Sequence, residues 1–216
     1  MKIGLLGKKL GMTRVYDAKG VITSVTVIEA GGNTLLQKKT AETDGYVGVQ
    51  VGFDTQKEHR VNKANLGVFK KAGSEPKKLV KEFRLPDGAK LEDGVDLSVK
   101  QFAVGDVVDV IGRSKGHGFQ GVVKKHNMSG QNQTHGSMMH RRNGAIGMRS
   151  TPGRIWKNMG MPGHMGDERV TIQNLQILQV REEDGVILVD GPIPGAKGSY
   201  VVVRPSVKKP APAKEA

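Results

Sequence analysis

The sequence predicts a mainly β protein whose short antiparallel strands close, or nearly close, into a small barrel. Three observations carry this expectation. Alternating β-branched runs recur along the chain, Gly and Asn turn chemistry separates them, and strands stand on both sides of a long basic excursion that must leave the sheet and return.

With 216 residues, 37% of them hydrophobic, and no internal repeat, the chain can bury one substantial core and a small second lobe. A net charge of +13 and a pI near 9.9 point to nucleic acid or another anionic surface as partner. The absence of Cys removes disulfides, thiolate catalysis and Cys-based zinc sites, and is compatible with a reducing compartment. No apolar run approaches the roughly 20 residues needed to cross a bilayer. The opening MKIGLLGKKLGMTR is too short and interrupted for a secretory signal, so a cytoplasmic location is expected.

In chain order, Gly4, Gly7 and Gly11 interrupt an apolar run beside Lys8, Lys9 and Arg14, which reads as a bent strand serving either a barrel corner or a phosphate contact. Val21–Ile28 and Tyr46–Phe53 alternate and read as strands of one antiparallel sheet, with turns at Gly31-Gly32-Asn33 and Thr43-Asp44-Gly45. Residues 1–55 are therefore assigned to the barrel. From 56 to 96 the composition shifts to Lys, Asn and Glu, giving a small α/β lobe. Asn62 caps a short helix through Ala72, Gly67 weakens that helix by about 1 kcal/mol relative to Ala, and an exposed strand over Leu79–Leu85 ends at Pro86-Asp87-Gly88. The lysines there mix with glutamates and read as solvated surface. The barrel resumes at 97–112, where Val107–Gly112 is a largely buried strand, and again at 167–206 with strands at Val170–Val180, Val186–Val189 and Tyr200–Val203. Residues 207–216, rich in Pro, Ala and Lys, read as a disordered basic tail.

Between the last two barrel segments, residues 113–166 hold nine Lys or Arg, five of the 6 His, seven Met and the only Trp, with no Asp or Glu. An irregular segment well beyond about 12–15 residues is usually functional or disordered. Ile146, Ile155, Trp156 and the dispersed glycines favour order against a polyanionic partner. Glycine-rich Arg113–Gly121 can turn backbone N–H groups toward phosphates, yet it lacks the P-loop spacing. Its GxGxxG at Gly116, Gly118 and Gly121 lacks the acidic residue and βαβ setting of a dinucleotide site. His117, His126, His135, His140 and His164 have no metal-ligand spacing and no carboxylate nearby, so neither metal nor cofactor is expected. Ser and Thr nucleophiles likewise lack an acidic orienter. Nucleic acid accounts for all these features together: cations neutralise phosphates, Gly admits the backbone to narrow grooves, and His, Phe119 and Trp156 can stack on unpaired bases. A nucleic-acid-processing enzyme and a free RNA or DNA chaperone are the alternatives. Trp156 as a plain core anchor also stays open.

Gly7–Thr13, Phe102–Asp109 with Gly112–Gly121, Thr151–Arg154 and Gly166–Thr171 together resemble the ribosomal protein L-three family in its bacterial form, over nearly the whole chain. The resemblance implies a six-stranded antiparallel barrel of the translation-protein type, a small α/β lobe, and a long extended basic loop at 113–166 that penetrates large-subunit ribosomal RNA toward the peptidyl transferase centre. It implies a non-enzymatic structural role in the cytoplasmic ribosome, beside neighbouring large-subunit proteins, with early nucleation of subunit assembly and no membrane or small-molecule substrate. The expected RNA-binding residues are Lys8, Lys9, Arg14, Arg113, Lys115, Gly116, His117, Gly118, Lys124, Lys125, His126, His135, His140, Arg141, Arg142, Arg149, Arg154, Trp156, Lys157 and Arg169. Met148-Arg149-Ser150 stands where some bacterial relatives carry a methylated Gln, so that modification is not carried over.

Overall fold

Six long strands dominate the computed structural model, which describes residues 3–16, 20–86 and 97–209. They are β1 (Leu5–Tyr16), β2 (Ile22–Glu29), β6 (Val107–Arg113), β9 (Arg169–Arg181), β10 (Val186–Asp190) and β11 (Tyr200–Pro205). All their pairings are antiparallel, in the order β1-β11-β6-β9-β10-β2, and β2 pairs back with β1, so the sheet forms a closed barrel. Closure leaves no edge strand in this sheet. Leu5, Ile28, Val108, Val110, Ile177, Ile187, Val189, Val201 and Val203, all at 0–1% exposure, fill the core.

The bend expected in the first strand is a register shift between Lys9 and Gly11. Of the two readings of its glycines, packing accounts for Gly7: a Cβ there would stand 2.7 Å from Ile28 Cγ2 and 2.8 Å from Glu29 O. Asn33, in the turn after β2, accepts from the Leu6 N–H and donates to Leu6 O and Ala30 O, tying the turn to β1.

Three further strands, β3 (Thr34–Lys39), β4 (Gly48–Thr55) and β5 (Lys77–Arg84), form a separate antiparallel sheet in the order β3-β4-β5. This corrects two expectations. The strand at 46–53 is not in the sheet of the strand at 21–28, and the barrel's first segment ends near residue 30 rather than 55. Alternation identifies a strand but not its partner. The turn before β4 carries a one-turn helix, α1 (Ala41–Asp44), ended by Gly45 at φ 78°. Helix α2 (Lys63–Lys71) begins where expected, with Asn62 Oδ1 accepting from the Asn65 N–H at 2.8 Å. Val49, Val51 and Phe53 of β4 join the same hydrophobic core as the barrel residues. The expected turn at Asp87-Gly88, the rest of the lobe through 96, and 210–216 of the tail lie outside the described residues.

Strand β6 ends at Arg113 and β9 begins at Arg169, and the two residues face each other in register. Residues 114–168 between them fold as a second compact unit, while 1–113 and 169–216 make up the first.

Candidate nucleic-acid interface

The second unit closes at its chain ends through backbone pairing. The Ser114 N–H donates to Glu168 O (2.9 Å), the Glu168 N–H to Ser114 Oγ (3.2 Å), the Asp167 N–H to Lys115 O (3.3 Å) and the His117 N–H to Met165 O (2.9 Å). A two-stranded ladder follows, β7 (Gly118–Gln120) against β8 (Gly163–Met165), with Phe119 opposite His164. Gly166, at φ 74°, lies so close to Lys115 O that no side chain fits, and only Gly adopts that conformation cheaply.

Next comes α3 (Val122–His126), with Lys124, Lys125 and His126 in its last turn and Asn127 ending it at φ 55°. The His126 ring Nε2 bonds Met161 O at 3.0 Å, and Gly160 packs under Met128 and His126, so the outgoing and returning segments are held together here. Beyond this crosslink residues 127–162 contain no helix or strand. Their order comes from turns: the Gln131 N–H donates to His140 O (2.7 Å), the Arg142 N–H to Met139 O (2.8 Å), and His135, His140 and Asn158 adopt positive φ.

Burial in this unit is minimal. Val122 alone is buried among its residues, at 2% exposure. Phe119 (74%), Met138 (87%), Met148 (76%) and Trp156 (54%) are open to solvent, together with Met128, Met139, Ile146, Ile155 and Met159. Trp156 is therefore no core anchor; the Arg154 guanidinium lies 5.3 Å from the centre of its ring.

Electrostatically the unit is one-sided. Lys115, Lys124, Lys125, Arg141, Arg142, Arg149, Arg154 and Lys157 face only two carboxylates in the same unit, Asp167 and Glu168, both at its chain end. Among the described residues none of these eight cations forms an ion pair. Burial would impose a large desolvation cost on such unpaired charge, but here all but the half-buried Lys125 are exposed.

The expected residues thus separate into two sets. Lys115, Gly116, His117, Gly118, Lys124, Lys125, His126, His135, His140, Arg141, Arg142, Arg149, Arg154, Trp156 and Lys157 share the second unit. Lys8, Arg14, Arg113 and Arg169 are on barrel strands, Lys8 half-buried and the other three exposed. Lys9 is a correction: at 9% exposure its ammonium donates to Ile193 O (2.8 Å) and Gly195 O (3.2 Å), so it serves the fold rather than an external ligand. Phe119 belongs with the second unit's set, as the aromatic beside its basic Gly-rich start. The GxGxxG glycines fall on the β7 hairpin and the start of α3, and the sheets among the described residues are all antiparallel, so no dinucleotide fold surrounds them. No group of three or more His, Asp or Glu is placed to hold a metal among the described residues.

Comparison with known proteins adds an independent line. The family described as Ribosomal protein L3 matches residues 39–186. The chain is 55% identical over 216 residues to the large ribosomal subunit protein uL3 of Akkermansia muciniphila, covering 97% of this chain and 100% of that protein. It is 51% identical over 208 residues to the protein of that name from Streptococcus pyogenes serotype M5, covering 96% and 99%, and 47% identical over 207 residues to that of Brachyspira hyodysenteriae, covering 96% and 95%.

Proposed function

Because this chain belongs to the ribosomal protein L3 family, we propose that it is a structural constituent of the large ribosomal subunit that binds large-subunit ribosomal RNA directly through residues 114–168. Its place is then the cytoplasmic ribosome, among RNA and neighbouring large-subunit proteins, and its work is translation without catalysis of its own. The barrel is read as one of the translation-protein type. The second unit is read as the part that enters folded RNA toward the peptidyl transferase centre, and early binding there as a nucleating step of subunit assembly.

One observation carries the reading: a 55-residue unit with a single buried side chain, eight unneutralised cations and both its aromatic and five of its seven Met side chains in solvent. Such a surface repels itself and has little to pack on, and both costs are relieved by a polyanion with unpaired bases. Footprinting of large-subunit ribosomal RNA with and without the protein tests it. Protection confined to a few helices is expected, and protection nowhere in particular would reject direct binding. In cells, Arg141→Ala combined with Arg142→Ala should slow large-subunit maturation while barely altering thermal stability; normal subunit profiles would argue against the assignment of this unit.

A further inference from the structure

Asn143 is the one Asn in the chain that precedes Gly; a residue with a side chain follows every other. It stands in the stretch 127–162, which contains no helix or strand, directly after Arg141 and Arg142. Asn143 is half-buried and Gly144 is exposed. Elsewhere in the chain Asn side chains are fastened: Asn33 bonds to Leu6 of β1, Asn62 caps α2, and Asn174 Oδ1 accepts from the Ser206 hydroxyl at 2.7 Å. Among the described residues neither the Asn143 amide nor the Gly144 N–H takes part in a hydrogen bond.

These are the conditions for a backbone nitrogen to attack the side chain before it, a route by which Asn is thermolabile. Gly has no Cβ to shield its nitrogen, and its backbone freedom lets that nitrogen come within reach of the preceding amide carbon. The attacking form is the deprotonated Gly144 amide, and neighbouring positive charge favours an anionic form. Arg141 and Arg142, adjacent in the chain and without an ion pair among the described residues, supply that charge.

We propose that Asn143-Gly144 is a self-modification site at which the free protein deamidates, and that the product marks a chain that has aged outside its complex with RNA. The Gly144 nitrogen gives its proton to solvent and bonds to Asn143 Cγ; the Cγ–Nδ2 bond breaks, and Nδ2 takes up a proton and leaves as ammonia. Water then opens the cyclic imide at either carbonyl, giving Asp or isoaspartate. The net change is one water in and one ammonia out, with no oxidant or reductant. Either product places a carboxylate in residues 113–166, which otherwise hold none. The marking role rests on the RNA-binding reading above: the new charge repels the phosphates that Arg141 and Arg142 attract, while bound RNA fixes the loop and protects the amide.

The test incubates the full chain, free and bound to deproteinised large-subunit RNA, and follows every Asn by peptide mass spectrometry, with enzymatic methyl labelling of isoaspartate. In the free chain Asn143 should convert ahead of every other Asn, with isoaspartate among the products, and RNA should suppress the conversion. Gly144→Ala should abolish it. The added Cβ would stand 3.7 Å from Gln131 Nε2, an ordinary contact, and the Gly144 φ lies outside the left-handed region, so the substitution is accommodated. Asn143→Asp, which carries the charge of the product, should weaken RNA binding and reduce the magnitude of the log–log salt slope by about 0.7, the equivalent of one phosphate contact. An Asn143 that stays intact while other Asn convert, or a Gly144→Ala chain that converts as fast as wild type, overturns the site. Asn143→Asp that binds like wild type, or equal conversion on RNA and off it, overturns the marking role. A wild-type chain that binds no RNA would bring down the RNA-binding reading and the marking role with it, whereas conversion in the free chain is measured without RNA.

Discussion

Lys8 and Lys9 adjoin in the sequence and have opposite surroundings, because neighbours on a strand point to opposite faces. Lys8 pairs with Tyr200 toward the outer face, whereas Lys9 spends its charge on two carbonyls of the 191–198 turn. Counting both as RNA ligands followed composition; the period-2 geometry alone required that one of them turn away. Lys9→Met removes the donor and leaves two carbonyls unmatched. It should destabilise the fold by about 1–3 kcal/mol in urea denaturation, while leaving the salt dependence of RNA binding unchanged. A parallel loss of salt dependence would return Lys9 to the interface. Asn62 shows the reverse case. Its cap was legible because the chemistry is complete within three residues, whereas the buried Asp109, which accepts from Asn174 and Val207 N–H groups far along the chain, left no local signal.

At the scale of elements, the long strands were legible from alternation, and β9, β10 and β11 lie within a residue or two of their expected bounds. Their partners were not. β4 pairs with β3 and β5 through contacts that no periodicity encodes, and β7, β8 and α3, at three to five residues, are shorter than the windows in which a period shows. What holds the three-stranded sheet is partly a polar cluster. Lys39 of β3 donates to the Tyr46 hydroxyl (2.7 Å) and pairs with Glu82 of β5 (2.7 Å), and the Arg84 guanidinium stacks 4.3 Å from the Tyr46 ring. The hydrogen bond from Lys39 pulls the Glu82 carboxyl below its ordinary range, and the same bond pushes the Lys39 ammonium above its own. A depressed carboxyl stabilises above its unfolded pKa, about 4.3, and loses that contribution as pH falls through the folded value; a raised ammonium stabilises below about 10.4 and loses it as pH rises. The pair therefore contributes fully between these limits. Glu82→Gln should lower the melting temperature at pH 7 by no more than roughly a few degrees, as expected of an accessible pair, with the gap to wild type closing as pH falls below the glutamate range. A gap of constant size from pH 7 to pH 3 would mean that packing, not charge, is the cause.

Over the whole molecule, the charge of the candidate site was the most legible property and its conformation the least. That residues 113–166 carry cations and no acid needs only counting, but the hydrogen bond of Gln131 to His140 and the crosslink of His126 to Met161 join positions that no short-range rule connects. The same unit presents two kinds of group, cations and exposed apolar rings, and their contributions separate by salt. Each phosphate contact made to single-stranded-like RNA contributes about 0.7 to the magnitude of the slope of log affinity on log salt, so half a dozen contacts predict a slope of order −4. Arg141→Ala with Arg142→Ala should reduce its magnitude by about 1.4. Trp156→Ala or Phe119→Ala should instead weaken binding by about 1–3 kcal/mol per stacked base at every salt concentration, because stacking releases no counterions. Binding isotherms across a salt series decide between a site of charge alone, in which the ring variants match wild type, and a site of charge with stacking, in which the curves run parallel below it. Parallel lines for the ring variants and a shallower line for the arginine variant are the expected pattern, since the rings stand in solvent beside cations that no carboxylate offsets.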